Sequence, residues 1–333
     1  MSSPLLRVAV VGATGALGGE LLDQLRERRF PLQELWPVAT DRSLGETIDW
    51  LGHELPVVTE VEVLSSLDLV FVCAPPAAAL DWVRRALHAG VACIDFSGAL
   101  ALRAEVPLLG DAAAIDPAVL AAPLVAVPAA PALALARVLA PLGEVAGLVR
   151  LVATLCDSAS GIGQSGVDAL QAETIALFNQ EEPPASGLSR GLAFDCLPSS
   201  GSLDENGASE AEARVSGELA RLLGQDLPRS VTLLRLPIFA GMGIQVSLET
   251  QRPLAPERAL ECLAKTPDVA VWPQPEGPST RDAIGEEAVL IGRVRRDPSL
   301  AQGLCFWIAL DPARLAVSFA LRVAEARFRS RSS

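Results

Sequence analysis

The sequence lacks three features that mark common classes of protein. It has 27 Lys and Arg against 40 Asp and Glu, a formal net charge of -13, and so lacks the basic surface that nucleic-acid binding usually needs. No apolar run reaches the roughly 18 residues of a membrane-spanning helix, and the first residues lead into a strand pattern instead of a signal peptide. We therefore expect a cytoplasmic protein with no nucleic-acid and no membrane partner.

Clustered cysteine and histidine are also missing. The six cysteines are scattered without a C-x-x-C pair, and the two histidines, His53 and His88, fall in a predicted loop and a predicted helix. This pattern predicts neither a disulfide framework nor a metal site, and we expect most of the cysteines to be small buried residues.

The length and composition favour two domains with large cores. Half of the 333 residues are hydrophobic and 20% are charged, as in ordinary globular proteins. We expect a nucleotide-binding domain over residues 1–128 and a second domain over residues 129–312. A closing helix over residues 313–328 is expected to pack back on the first domain.

The stretch RVAVVGATGALGGELLDQL, residues 7–25, carries the most informative motif. It predicts a buried strand over residues 7–11, a glycine-rich turn over residues 12–18 and a helix from Gly19. Such a loop lets the backbone approach a pyrophosphate at the positive end of the helix, although a plain tight turn is the alternative. The candidate cofactor-binding residues of this loop are Gly12, Thr14, Gly15, Ala16, Leu17 and Gly18.

A second predicted strand, over residues 34–39, ends in the polar loop ATDRSLG. In a Rossmann domain this loop meets the adenosine ribose, where a carboxylate such as Asp41 would favour NAD and an arginine would favour the 2′-phosphate of NADP. Arg42 makes NADP the favoured cofactor and NAD the less favoured one, while a merely solvated polar loop is the alternative. The candidates here are Thr40, Arg42 and Ser43.

Alternating strands and helices continue through the first domain. Residues 67–87 predict a strand and a helix, and residues 91–99 predict another strand. This alternation predicts an α/β fold with a doubly wound parallel sheet, whose ligands lie at the carboxyl ends of the strands. The prolines of the motif CAPPA remove two amide donors from one loop at that edge.

Beyond Pro128 the predicted helices and strands are longer. This change of pattern predicts a second, α+β domain with a mostly antiparallel or mixed sheet. Ser209 is a plausible N-cap of the helix predicted over residues 209–224. The predicted strands carry more apolar surface than the predicted helices obviously cover. The predicted strands occupy residues 149–161, 231–241, 287–297 and 303–311, the predicted helices residues 161–178 and 209–224, and a long flexible loop residues 272–280.

Several motifs in combination resemble the aspartate-semialdehyde dehydrogenase family. They are VGATGALG, TDRSLG, DFSGA, SASGIGQSGVDAL, AFDCLP, RLPIFAG and LIGRVRRDPS, and they run along nearly the whole chain. The resemblance implies a glyceraldehyde-3-phosphate-dehydrogenase-like arrangement of two domains, an NADP cofactor and a homodimer formed through the second sheet. It also implies a cysteine that attacks an aldehyde, a histidine that transfers protons, an arginine that holds the substrate carboxylate, and phosphate that releases the acyl group.

The same resemblance implies that the reacting residues are replaced in this chain. Where the family has Pro-Asn-Cys before a helix, this chain has Pro128, Ala129 and Ala130, so Ala130 stands at the position of the nucleophile. Met242 stands at the position of the histidine, and methionine transfers no protons at ordinary pH. Arg235 matches the arginine that binds the substrate carboxylate.

Other family positions are matched only in part. Asp157 stands for a glutamine that contacts the substrate, and Asp311 stands for an asparagine near the nicotinamide, where an anion would alter cofactor binding. The arginine of the phosphate site falls on Ala101, with Arg103 two residues away.

The family motif E-E-x-K is also matched in part. Its first glutamate is replaced by Ala211, its second is Glu212, and its lysine is replaced by Arg214. Glu212 and Arg214 therefore join Arg235 as candidates for binding a small carboxylate ligand.

Three functions remain open. The first is a catalytically altered family member, similar to the Usg-type homologues, that keeps NADP binding and dimerisation without the phosphorylating dehydrogenase activity. The second is an NAD(P)-dependent oxidoreductase on an aldehyde or oxo group of a small carboxylate, with Asp157 or Cys156 as the acid and Arg235 as the anchor. The third is a regulatory or scaffolding partner. Plain structural roles, packing for Cys156 and an ion pair for Arg235, are the alternatives for these residues.

Overall fold

A computed structural model describes residues 5–110, 117–185, 190–198 and 202–330. The chain forms two compact units. The N-terminal unit comprises Met1–Ala129 and Ala316–Ser333, and the second unit comprises Ala130–Leu315.

A five-stranded parallel sheet lies at the centre of the N-terminal unit. Its strands are β1 (Leu6–Val11), β2 (Leu32–Val38), β5 (Leu69–Val72), β6 (Ala92–Asp95) and β7 (Leu124–Ala126), in the order β2-β1-β5-β6-β7. Strands β3 (Thr47–Trp50) and β4 (His53–Pro56) form a separate hairpin. All residues of β5, β6 and β7 are buried, as expected for parallel strands covered on both faces. The predicted parallel sheet is confirmed.

Helices alternate with the strands along the chain of this unit, as is usual in α/β folds. They are α1 (Ala16–Glu27), α2 (Pro76–His88), the short α3 (Pro117–Ala121) and, from Ala316 on, the closing helix α8 (Pro312–Ser330). Arg28, just after α1, donates a hydrogen bond of 2.6 Å to Ser318 of α8, and Arg327 of α8 donates to the Ala122 carbonyl oxygen. These bonds attach the end of the chain to the N-terminal unit.

A six-stranded mixed sheet forms the second unit, as predicted. Its strands are β8 (Leu148–Asp157), β9 (Arg229–Arg235), β10 (Met242–Thr250), β11 (Val269–Val271), β12 (Val289–Arg296) and β13 (Gly303–Leu310), in the order β11-β12-β13-β10-β8-β9. The two outer pairs are parallel and the three inner pairs are antiparallel. The helices are α4 (Ala130–Ala146), α5 (Gln164–Phe178), α6 (Glu210–Leu223) and α7 (Pro256–Leu263).

Several predicted boundaries are wrong. The strand predicted over residues 231–241 ends at Arg235, because Pro237 has no N–H for a ladder and the chain turns before β10, a strand that was not predicted. The helix predicted from Gly19 begins at Ala16, and the strand predicted over residues 34–39 is Leu32–Val38. His53 begins β4 instead of lying in a loop.

Among the described helices, α4, α6 and α7 contact the second sheet, and α6 and α7 both pack against α4. Along β10, Ile244, Val246 and Leu248 are fully buried, whereas Gln245 and Ser247 between them are partly exposed. Helix α4, which is apolar nearly all round, packs against β8 and β10 on the buried side. We call the other side the open face. On β8, β9 and β10 it consists of Val152, Thr154, Cys156, Thr232, Leu234, Gln245 and Ser247.

The proline-rich loop covers the other end of the open face. It has neither helix nor strand, as predicted, but it is anchored to the sheet: Trp307 Nε1 donates a 2.8 Å hydrogen bond to the Pro278 carbonyl oxygen, and Trp272 N donates to the Ile291 carbonyl oxygen. A small cluster of Ala283, Leu290 and Ala309 lies beneath it. The contacts of the loop lie at the β12 and β13 end of the sheet, away from β8 and β9.

The cysteines differ from the prediction that most are buried. All six are free thiols, but only Cys93 and Cys305 are buried, and Cys196 is exposed. Within the described ranges, no group of three or more His, Cys, Asp or Glu side chains could hold a metal ion. None of the helices among those residues is long and apolar enough to cross a membrane.

Candidate functional site

The glycine-rich loop of the N-terminal unit is closely packed between β1 and α1. Gly12 has φ +84°, and a Cβ there would lie 2.7 Å from the Cys73 carbonyl oxygen, so a side chain is excluded by both strain and space. A Cβ on Gly18 would lie 2.1 Å from the Gly12 carbonyl oxygen. The first turn of α1 therefore rests directly on the loop backbone.

Helix α1 begins three residues earlier than predicted, directly after Gly15. Gly15 has an extended backbone and precedes the helix, and Gly19 N donates a 2.8 Å hydrogen bond to its carbonyl oxygen. The first-turn amides of Ala16 and Leu17 have no partner further back in the helix. Since no acidic side chain lies in that turn, the positive end of the helix dipole is unopposed, which suits an anion.

A second loop of the N-terminal unit lies against the glycine-rich loop. Residues Asp41–Ser43 form a single 3-10 turn after β2, and Ser43 Oγ lies 3.2 Å from Thr14 Oγ1, within hydrogen-bond distance. The structure thus brings together two of the residues predicted from separate motifs. Thr40 and Arg42 are exposed on the same turn, so the guanidinium is accessible.

A fully buried carboxylate ends β6, at the edge where parallel sheets bind ligands. Asp95 accepts a 2.9 Å hydrogen bond from Ser97 N. Burial, complete for Cys93 and partial for Cys73, raises the pKa of Cys93 to about 12 and that of Cys73 beyond its usual range, and the Asp95 charge contributes to both. Both thiols are therefore protonated packing groups. Asp95 was not among the predicted site residues, although the D-x-S-x-A motif after a buried strand is a signal for it.

In the second unit, Asp157 and Arg235 form a buried ion pair. Parallel pairing of β8 with β9 places the two residues opposite each other at the carboxyl ends of their strands, and their side chains are only 7% and 6% exposed. Arg235 also donates a 2.8 Å hydrogen bond to the Ser158 carbonyl oxygen, and Ser158 N donates to Asp157 Oδ1 at 2.8 Å. Burial raises the pKa of Asp157, and the guanidinium and the Ser158 N–H offset that rise only in part.

Gly161 closes this ion pair from one side. It lies in the short 3-10 turn Ala159–Ile162, and a Cβ there would come within 2.3 Å of both Arg235 Nη1 and Asp157 Oδ2. The contact requires a residue without a side chain, since the backbone itself packs on the charged groups. The sequence offered only a weak signal for it, the run of small residues in SASGIG.

We expect Gly161→Ala to destabilise the protein by about 3 kcal/mol. The added methyl group would have to displace one member of a buried ion pair, which combines overpacking with the loss of charge pairing. The free energy of unfolding in urea measures this effect. Gly19→Ala is the matched control, because nothing lies within 4 Å of the Cβ that it adds. Equal stability of the two variants would contradict the packing described for Gly161.

Glu212 and Arg214, predicted to bind substrate, have contacts within α6 and to β9. Glu212 Oε2 accepts from Ser209 N at 2.7 Å in a complete capping box, which confirms Ser209 as the N-cap, and Glu212 Oε1 accepts from Leu233 N at 2.7 Å. Arg214 pairs with the fully buried Glu218 at 2.6 Å. The bond from Leu233 joins α6 to β9, and the other contacts lie within α6 and its cap. A role of Glu212 and Arg214 in substrate binding stays a prediction.

The two positions that resemble the family's reacting residues lie at element starts. Ala130 is the first residue of α4, and Met242 is the first residue of β10, opposite Leu310 of β13; both side chains are buried. Neither side chain ionises. Cys156, the remaining thiol of interest, is half-buried, and burial raises its pKa, which keeps it protonated.

Asp311, predicted to lie near the nicotinamide, caps the start of α8. Its Oδ1 accepts from Arg314 N at 3.1 Å, and its Oδ2 accepts from Gly285 N at 3.0 Å. A carboxylate at this place is stabilised by the helix dipole. The structure thus gives Asp311 a capping role, and its effect on a cofactor stays a prediction.

Comparison with known families agrees with this architecture. The NAD binding domain of semialdehyde dehydrogenases matches residues 7–121, and the dimerisation domain of the same enzymes matches residues 139–314. Fold and matches together define a semialdehyde dehydrogenase-type protein with a nucleotide-binding domain and a dimerisation domain.

Individual relatives show which semialdehyde dehydrogenases the chain is similar to. The chain is 30% identical to aspartate-semialdehyde dehydrogenase of Synechocystis sp., over 98% of each chain, and 34% identical to a USG-1 protein homolog of Pseudomonas aeruginosa, over 94% of each. It belongs to the aspartate-semialdehyde dehydrogenase family.

Solved structures show the same fold. The Vibrio cholerae aspartate semialdehyde dehydrogenase II complexed with ASA superposes with a TM-score of 0.92 at 29% identity, covering 98% of this chain and 99% of that one. A probable aspartate-semialdehyde dehydrogenase from Pseudomonas aeruginosa gives a TM-score of 0.90 at 32% identity, covering 97% and 98%.

Proposed function

We propose that this protein is a family member that binds NADP and dimerises but does not carry out the phosphorylating dehydrogenase reaction. The observation that carries the proposal is the methyl group of Ala130 at the first residue of α4. A helix amino end stabilises a thiolate, and a cysteine there would be activated, whereas alanine offers nothing for the helix to stabilise. Met242 likewise offers no group for proton transfer.

Support for a dinucleotide comes from the fit of the glycine-rich loop. The spaces that Cβ atoms on Gly12 and Gly18 would fill are taken by backbone, so the loop keeps the close turn that lets main-chain amides reach a pyrophosphate. Thr14 and Ser43 would lie beside the ribose, and the exposed Arg42 would hold a 2′-phosphate. When bound, the nicotinamide would supply a hydride acceptor.

Arg42 gives a direct test of the cofactor. NADP is expected to raise the Tm of the protein by on the order of 5 °C at saturation, and NAD by less, because a ligand that binds only the folded form stabilises it. Arg42→Ala should lower the affinity for NADP about tenfold or more and leave that for NAD unchanged, since it removes a charge-assisted hydrogen bond to the phosphate.

Arg84→Ala is the control for that experiment. Arg84 is an exposed arginine of α2 in the same unit, paired with Asp81, so its loss changes the net charge equally. A wild-type protein whose Tm does not respond to either nucleotide would refute the cofactor assignment. Equal loss of NADP affinity in both arginine variants would refute the role of Arg42 alone.

Support for a homodimer comes from the open face. Val152, Thr154, Leu234 and Gln245 carry no charge, lie side by side on one face of the sheet and are each partly exposed. Uncharged, flat surfaces of this kind are typical of the buried centre of an interface. We infer that a second copy packs on this face in a symmetric dimer.

The alternative of direct hydride transfer is weaker. It requires Asp157 or Cys156 to donate a proton to the substrate and Arg235 to bind the substrate carboxylate, but the Arg235 side chain is already paired with Asp157. None of the contacts described above in the two units favours the scaffolding alternative in particular. We therefore retain the altered family member as the function that the site supports best.

A further inference from the structure

The surroundings of Asp157 have the composition of a carboxylate-binding site. One oxygen contacts the Arg235 guanidinium and the other accepts from Ser158 N at 2.8 Å. A guanidinium and a main-chain N–H are the donors that proteins commonly use to bind a free carboxylate. Here the carboxylate they bind is part of the same chain.

The arrangement leaves no room for a second carboxylate on that side of Arg235. The side chains of the pair are 6% and 7% exposed, and the Gly161 backbone lies so close that even a methyl group would overlap with both. The Ser158 carbonyl oxygen takes a further guanidinium hydrogen bond at 2.8 Å. An incoming carboxylate would have to displace Asp157 from its contacts before it could bind.

We propose that Asp157 is an internal ligand that fills the carboxylate subsite at Arg235 and thereby excludes carboxylate substrates from it. This inference rests on the proposed function, in which Arg235 stands at the family's substrate-binding position. Asp157 is then the residue that determines specificity, since the native protein rejects small carboxylates and a chain without this side chain accepts them.

Removal of the Asp157 carboxylate should create a site of defined size and charge. Asp157→Ala removes a carboxylate group, and formate is the free anion of that size. Asp157→Gly removes a carboxylate with its methylene, and acetate is the free anion of that size. Both variants remove the Asp157 carboxylate from a buried guanidinium that it pairs with, which is strongly unfavourable. A free anion that restores the pairing should therefore bind and stabilise the fold.

The experiment measures the Tm of each variant with sodium formate, acetate or chloride at equal ionic strength and without nucleotide. Formate is expected to raise the Tm of Asp157→Ala by on the order of 5 °C over chloride, and acetate to do the same for Asp157→Gly. The wild-type protein should show no difference between the salts. Addition of Arg235→Met to either variant should abolish the response, because the guanidinium that binds the anion is gone.

Three results would overturn the proposal. They are a wild-type Tm that rises with formate, variants whose Tm is the same in carboxylate and chloride, and variants that stay unfolded after refolding with their matched anion. None of these measurements involves NADP or turnover. A failure here is therefore distinguishable from a failure of the proposed function, which the nucleotide and activity experiments test.

Discussion

Oxidation of aspartate semialdehyde with NADP and phosphate is expected to be slower for this protein than for a cysteine-containing relative by on the order of 10⁶-fold. Loss of an attacking side chain alone has an effect of this size, and loss of its proton-transfer partner adds little because the two act together. Ala130 and Met242 are the positions concerned. The measurement is the rate of NADPH formation by absorbance, with purified protein and the relative under identical conditions.

Variants separate the causes of the low rate. Ala130→Cys with Met242→His should gain measurable turnover only when Asp157 is also replaced by glutamine, the residue implied by the family resemblance, because the internal carboxylate otherwise keeps the substrate from Arg235. Cys156→Ser should change nothing in the wild-type background, since its thiol is protonated. A substantial wild-type rate that Cys156→Ser abolishes would show that the protein uses another nucleophile.

Thr154→Arg is expected to convert a dimer into monomers, with a rise in Kd of more than about 10³-fold. Thr154 lies on β8 opposite Gln245 and beside Thr232, at the centre of the open face. In a symmetric dimer each interface would bury two unpaired guanidinium groups, at a cost of several kcal/mol. Sedimentation equilibrium over a range of protein concentrations measures the change.

Thr47→Arg provides the matched control for this prediction. Thr47 is an exposed threonine of the β3–β4 hairpin, so the same substitution there adds the same charge without touching the open face. The control should stay dimeric. A wild-type monomer, or a dimer that survives Thr154→Arg unchanged, would show that the open face has another role.

Local signals in the sequence were sufficient for parts of the fold. The strand, glycine-rich loop and helix that begin the chain follow from apolar runs and glycine spacing, and the capping box at Ser209 needs only a serine followed three residues later by a glutamate. Contacts between distant segments were not accessible in this way. The Ser43–Thr14 contact joins two motifs that the sequence could name but not bring together.

The pairing of Asp157 with Arg235 shows most clearly what could not be predicted from the sequence alone. Both residues were candidates, but they are 78 positions apart, and only the parallel register of β8 and β9 places them in contact. Strand β10, which separates β8 from β13, was not predicted, because the strand predicted over residues 231–241 was extended through Pro237 up to the point where β10 begins. Which face of a strand is buried and which is partly exposed depends on the assembled sheet, so the sequence of one strand does not reveal it.

The packing of Gly18 on the Gly12 carbonyl oxygen has an evolutionary consequence. Folding by itself forbids larger residues at both places, whatever the chain binds. A lineage that abandoned its coenzyme would thus retain the glycine fingerprint for as long as it retained the domain. Selection for a coenzyme would act instead on a solvent-facing residue such as Arg42, since packing places no constraint on its side chain.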